Sequence, residues 1–325
     1  MVSKRKISKT LTLKENIMEP TNANKIETAS ESRFSAAHFS EALTAYSTGW
    51  KDPENLAAML DFIAPSVPVG RRFEFKKQNN AEAFLAEADD VRAIGSSFKR
   101  IEYSGTSVNE KTINKGLTIR VDHDEVMGDD WQERYVQLLV QRLYRNEILR
   151  AISALDQSAK LTKLQWSKTS NPDGDLRKSI ITAATASGVR PNRILFSEGS
   201  WDARASTYES KDNAGAFRSA DISPEELSRK LLVDDVRVIR SRYQALSGGK
   251  LPMAENAVYA FFGQAAVTKD EPSNIKRFVT PTDSGNDFRV YLEEHAKYTD
   301  ISVEHYSNIV VTSDLGIQKL VTTTV

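Results

Sequence analysis

Three of the chain's four histidines stand beside acidic residues, the pairing that metal-assisted or acid–base chemistry needs. The densest group is Asp122-His123-Asp124-Glu125. A divalent metal on Asp122, His123 and Asp124 would make the protein a metal-dependent hydrolase. Strand geometry opposes this, because alternate residues point to opposite faces and His123 would face away from both aspartates. No second histidine cluster stands at ligand spacing, so a solvated strand end is the favoured reading and no metal or cofactor is expected. Glu293 to His295 and Glu304-His305 repeat the acid–imidazole pairing, but H-E-x-x-H is absent. So are G-x-S-x-G, the P-loop and G-x-G-x-x-G. Ser247-Gly248-Gly249-Lys250 lacks P-loop spacing and reads as a flexible loop. The chain contains no cysteine, which excludes thiolate nucleophiles, thiolate zinc sites and disulfides. Trp166 and Trp201 read as core anchors rather than nucleobase stackers.

The elements that would position any site are clearer than the site itself. In 325 residues, 40% are apolar and 27% charged, enough for a core and about two domains. No apolar run approaches the ~18 residues of a membrane span. Forty-four basic and 44 acidic residues cancel, which argues against a dedicated nucleic-acid binder. The basic N-terminus (Lys4, Arg5, Lys6, Lys9, Lys14) is followed by no apolar stretch, so it is not a signal peptide. The absence of cysteine fits synthesis in the cytoplasm.

The chain is organised around the stretch 129–158, its longest without Gly or Pro. Asp130 is placed to cap it, with Glu133 in the capping-box position. Roughly 28 residues at ~1.5 Å each make a rod of about 40 Å. Trp131, Tyr135, Leu138 and Leu139 share one face, and Tyr144, Ile148, Ile152 and Leu155 share another, rotated face. A helix apolar on two sides is covered on two sides. One face is expected on a sheet formed by the last strands, and part of the other, around Tyr144 and Ile148, is expected to be covered only by another subunit.

Before this helix, residues 1 to about 35 read as an arm with little to bury. KDPENLAAMLDFIAP predicts a short helix capped by Asp52 with Pro53 at its first position. RRFEFKK alternates as a half-exposed strand. A charged excursion with a helical turn or two follows, then a second strand at FKRIEYS, a turn-rich TSVNEKTINKG and a strand LTIRVDHDEV. Together these make a long flap with little of its own chain to pack on, which is expected to lie on another subunit.

After the helix, Asn171, Pro172 and Gly188 bound one helix, and Ser223, Pro224 and Glu226 open another. Helices and strands interleave over 160–270, as in an inserted α/β domain. Strands KRFVTP, FRVYLEEH, DISVEHY and NIVVTS end the chain and are expected to form the sheet under the long helix.

The ordered set GRRFEFKK, SFKRIEYSGTSVNEKTINKGLTIRVDHDEV, QLLVQRLYRNEILRAISAL, PDGDLRKSIITAATASGVRPNRILFSEGSWDAR, SPEELSRKLLVDDVRVIRSRYQ, SNIKRFVTP and DISVEHYSNIVVTSDLGIQKL resembles the major capsid proteins of tailed bacteriophages, over residues 60 to 325. The most family-like positions are Gly188, Pro191, Asn192, Leu195, Glu225, Leu227, Val236, Val238 and Tyr243. The resemblance implies an α+β fold of the Hong Kong 97 type. Its parts would be an N-terminal arm (1–65), an extended β-hairpin loop with flanking strands (66–126), a peripheral domain made of the spine helix (127–160) and C-terminal strands (271–325), and an α/β axial domain (161–270). It implies a structural protein, not an enzyme, that forms pentamers and hexamers of an icosahedral head in the virion. The head would enclose double-stranded DNA contacted non-specifically and be assembled in the host bacterial cytoplasm. The short arm implies a separate scaffolding protein, beside a portal protein. Inter-subunit contacts are expected at Arg72, Phe73, Glu74, Phe75, Lys76 and Lys77 of the flap and at Tyr144 and Ile148. Charges on Arg237, Arg240 and Arg242 could also meet complementary copies. An encapsulin-like nanocompartment shell is the alternative on the same fold, and the Asp122-His123-Asp124 hydrolase the alternative from another class.

Overall fold

A computed structural model of the chain describes residues 38–49, 52, 54–77, 91–92, 94–97, 105–126, 128–211, 213–245, 248–264, 269, 273–283 and 285–324. The arm over 1 to about 35, the helical turns expected in the charged excursion and the strand expected at FKRIEYS lie mostly or wholly outside these residues.

The first half of the chain forms α1 (Glu41–Gly49), α2 (Leu56–Ile63), β1 (Ser66–Pro68), β2 (Arg72–Lys77), β3 (Thr106–Lys111), β4 (Ile113–Asp122), a 3-10 turn (His123–Glu125) and the long helix α3 (Trp131–Ser158). Next come β5 (Lys160–Trp166), α4 (Pro172–Ser187), β6 (Arg193–Ser197), α5 (Glu198–Glu209), α6 (Ala214–Ala220) and α7 (Pro224–Leu231). The remainder is strand: β7 (Asp235–Ile239), β8 (Arg242–Gln244), β9 (Lys250–Pro252), β10 (Ala257–Phe261), β11 (Ile275–Thr280), β12 (Phe288–Glu294), β13 (Tyr298–Val311) and β14 (Gln318–Thr324). No described helix is long and apolar enough to cross a membrane.

Strand β13 organises the first sheet. Along one edge it pairs antiparallel with β4, from Tyr298↔Asp122 to Ser307↔Ile113. Its other edge serves two strands in succession, β12 and then β11, with β1 parallel on β11. DISVEHY and NIVVTS, expected as separate strands, are this one strand. The second sheet runs β5-β14-β10-β6-β7. The two outer pairs are parallel and the inner pairs antiparallel. The last strand, β14, therefore leaves the sheet under the long helix and joins β5 and β10. Neither β5 nor β14 is marked by its sequence, because KLTKLQW and QKLVTTT are too polar to stand out as apolar strands.

Helix α3 is apolar on two faces because its halves serve two cores. Val136, Leu139, Val140 and Leu143 pack on Val290, Ile301 and Val303 of the first sheet. Ile148, Ala151, Ile152 and Leu155 pack with Leu56, Leu60 and Ile63 of α2 and with Tyr259 of the second sheet. Both faces are thus covered within one subunit, which corrects the expectation for Ile148: it is buried to 0% exposure here. Tyr144 is half-buried, its ring edge-on to Phe288. Leu138, expected inside, is 56% exposed.

The helix ends follow local chemistry, with two departures. Asn171 accepts from Gly174 N, and Gly188 closes α4 at φ 72°, a left-handed conformation that glycine adopts without penalty. At Asp130 the backbone (φ −97°, ψ 15°) is not the extended one a capping side chain needs, so the capping box does not form and Asp130 pairs with Arg134 instead. Helix α2 begins at Leu56, later than expected. The Asp52 carboxylate accepts from Glu54 N and Leu56 N, capping from just outside the helix. Ser223 and Glu226 do form the reciprocal box on α7. Ser223→Ala is expected to lower stability by about 1 kcal/mol, read as a shift in denaturant midpoint with an unchanged slope.

Candidate functional site

Asp122, His123 and Asp124 do not converge on a point. Asp122 ends β4 and spends its carboxylate accepting from Asp124 N at 3.0 Å. The His123 ring reaches across to Thr299 Oγ1 at 2.8 Å. The hydrolase reading therefore has no assembled ligand set at these residues. Among the described residues, the group that does bring potential ligand atoms together is Glu293, His295 and Asp300, at the turn from β12 to β13. Its members are already bonded: both Asp300 oxygens accept from Arg120 at 2.8 and 2.9 Å, and His295 bonds Glu293 at 3.1 Å. Gly248 and Gly249 lie in the turn of the β8–β9 hairpin, where Ala245 bonds both, which is not a phosphate cradle.

Trp166 is buried with its indole N–H on Asp175, and Trp201 packs edge-on to Phe196, so both are core anchors. Two of the three arginines near β7 meet partners in their own chain: Arg237 bonds Asp235 and the Ala58 carbonyl, and Arg242 bonds Glu198. Arg240 is exposed.

What remains is a mechanical junction where the flap meets the body. β2 and β3 pair from Arg72↔Lys111 to Lys77↔Thr106. After Thr112 the chain continues as β4 on β13, so TSVNEKTINKG is strand and not turn. Its polar side chains read as turn formers, but both neighbours supply ladder bonds that override that preference. Gly116 gives the close approach room there, since a Cβ would lie 3.0 Å from the Val303 carbonyl oxygen and push the strands slightly apart.

The flap's apolar side is anchored on its own subunit, correcting the expectation that it lacks a packing partner. Phe73 and Phe75 lie on Phe278, with ring centroids 4.3 and 5.5 Å away, beside Val67. The opposite side carries Arg72, Glu74 and Lys76, all exposed, and Glu74 bonds Ser107 across the ribbon. Lys77 is half-exposed.

Behind the flap lies a buried charge cluster that the sequence reading missed. Glu147 of α3 is 1% exposed. Its Oε1 accepts from Lys115 of β4 at 2.8 Å and from Arg150 at 2.6 Å, and its Oε2 from Ser307 of β13 at 2.8 Å. Burial pushes the Glu147 carboxyl up, while the charge of Lys115 and its hydrogen bond pull it down. Burial also draws Lys115 below its ordinary value, against the pull of Glu147. One signal was available: Glu147 falls at helical spacing among Leu143, Tyr144, Ile148 and Ala151, on the face that must be buried.

A second buried pair, Asp173 and Arg204, holds α4 to α5, with Lys230 of α7 as a third member.

No family model and no curated protein matches this chain. Solved structures do. A phage-related protein from Bordetella bronchiseptica RB50 is 17% identical, aligned over 88% of this chain and 97% of its own, with a TM-score of 0.65. The putative capsid protein of an Escherichia coli CFT073 prophage is 13% identical over 88% and 99% of the two chains, at a TM-score of 0.47. The satellite phage P4 procapsid structure, which includes the size determination (Sid) protein, aligns over 94% and 99% at 9% identity and a TM-score of 0.48. The chain is an α+β protein that shares the fold of the Bordetella phage-related protein.

Proposed function

We propose that this chain is the major capsid protein of a tailed phage or prophage head. Copies would self-assemble into pentamers and hexamers of an icosahedral shell around double-stranded DNA. The observation that carries this reading is the fold, which aligns with nearly the whole of a phage-related protein; the His123 and His295 rings, two of the three beside acidic residues, are held by structural bonds. In this reading 1–65 is the arm, 66–126 the extended loop with its flanking strands, and 161–270 the axial domain. The spine helix (127–160) and C-terminal strands (271–325) form the peripheral domain, apart from β14, which joins β5 and β10 in the axial sheet. The protein's work is assembly, with no catalysis and no cofactor. A separate scaffolding protein and a portal protein would take part, in the host cytoplasm.

The flap contacts then fall to its outward charges, Arg72, Glu74, Lys76 and Lys77. Exposed ion pairs are worth ~0–1 kcal/mol each, so a shell would depend on their repetition by symmetry. Electron microscopy of the purified chain, alone and with its scaffolding protein, is expected to show rings or closed shells. Lys76→Glu with Lys77→Glu should abolish them while leaving the unfolding midpoint in place. A chain that stays monomeric at every salt concentration, with scaffold present, overturns the reading. Shells that carry an enzyme instead of nucleic acid would point to a nanocompartment.

A further inference from the structure

The least explained polar group among the described residues is His305 on β13. Its side chain is 2% exposed, yet neither ring nitrogen has a hydrogen-bond partner. An orphaned buried polar group costs free energy that an apolar side chain of similar shape would not. The ring sits between Phe288 of β12, edge-on at 5.2 Å, and its other cross-strand neighbour, Lys115 of β4. From α3 above it, Glu147 Oε1 stands 3.7 Å from Nε2, too far for a hydrogen bond. The ionisable groups around it are Lys115 from β4, and Glu147 with its partner Arg150 from α3; the Tyr144 ring meets the same Phe288 that the imidazole meets. Beyond them Arg277 of β11 is matched to Asp287 and Asp61.

We propose that His305 is a proton-operated latch at the base of the flap. While it is neutral, Glu147 belongs to Lys115, and α3 holds β4. Once protonated by solvent, the imidazolium becomes a third cation around one carboxylate and takes Oε1 from Lys115. A charge-assisted bond of about 2.8 Å needs the ring to close by roughly 1 Å. The burden falls on Lys115 rather than Arg150. Arg150 is 48% exposed and keeps its hydration whatever happens beneath it. Lys115 is 12% exposed, and burial already works against its charge. Lys115 carries the ionic tie from the flap strand to the long helix and also donates to Ser307 of β13 at 3.0 Å, so its displacement leaves the start of β4 held by the ladder to β13, while Val121 at its far end still packs against α3. The latch acts within one subunit and stands whether or not copies assemble.

Hydrogen exchange of the full chain at about pH 8 and about pH 5.5, corrected for the intrinsic effect of pH, tests it. Peptides over Ile113–Asp122 should lose protection on the order of tenfold at the lower pH, the effect of one unit of differential protonation. Those over Arg193–Ser197 and Asp235–Ile239 should not change. His305→Gln should abolish the response. Lys115→Met should leave β4 loose at both pH values. Equal protection at both pH values, loosening of the whole chain alike, or an undiminished response in either variant overturns the latch. If neither variant folds, the local or global pattern in the unaltered chain decides.

Discussion

Asp173→Ala is expected to destabilise the folded chain by about 3–5 kcal/mol, the cost of leaving a buried charge without its partner. Arg204 is 0% exposed and meets Asp173 through two bonds, Nε to Oδ1 at 2.7 Å and a terminal nitrogen to Oδ2 at 3.1 Å. Its other interactions cannot replace the carboxylate. They are the Ser219 carbonyl at 2.9 Å and the rings of Trp201 and Tyr208, and one guanidinium nitrogen already lacks a partner. Removing both members should cost much less than removing Asp173 alone, because an apolar pair leaves no charge behind. Asp173→Ala with Arg204→Met is therefore expected to recover a large part of the loss in urea denaturation. Equal losses in the single and double variants would mean that packing, not charge, holds this site. The pair also sets a direction with pH. Burial pushes the Asp173 carboxyl up, but Arg204 and Lys230 outweigh it and hold the group below its ordinary 3.8. A depressed carboxylate contributes stability that is complete above its unfolded value and is lost as pH falls through the folded one. The difference between the original chain and the double variant should shrink below about pH 4.

The fold was legible where local chemistry and the tertiary setting agree. Asn171, Gly188, Ser223 and Glu226 bound their helices as their side chains dictate, and strands with clear alternation, such as Arg72–Lys77 and Phe288–Glu294, appear where expected. It was obscured where a partner far along the chain decides. Thr106–Lys111 reads as turn until Arg72–Lys77 is laid beside it. Gln318–Thr324 is polar enough to pass as a tail until Lys160–Trp166 gives it a parallel neighbour. The junction was less legible than the fold, because its members lie far apart in sequence: Lys115 and Ser307 meet Glu147 across 32 and 160 positions. Acid–imidazole pairs adjacent in sequence drew attention to chemistry that strand geometry then dispersed. The two-faced helix was read correctly as covered on both sides. What a sequence cannot reveal is whether the second cover comes from the same subunit, and here α2 and the second sheet supply it.

Phe278→Ala is expected to remove about 3–5 kcal/mol as well, the usual cost of truncating a buried phenylalanine, and to do so in a way that singles out the flap. Phe278 is 0% exposed in the middle of β11, and its ring carries both Phe73 and Phe75. A two-stranded ribbon is marginal in water without a surface to pack on. Among the described residues β2 is paired with β3 alone, so these three rings supply most of what holds β2 against the body. Their loss should let β2 peel away while β4 stays on β13. Trypsin should then cut at Arg72, Lys76 and Lys77 faster than in the original chain, under conditions where the second sheet remains intact. Phe75→Ala should reproduce the faster cutting at a smaller cost to β11, because Phe73 still covers Phe278. If Phe278→Ala unfolds at the original midpoint and is cut no faster, the flap is held by something other than these rings, and its anchorage on its own subunit is not what positions it.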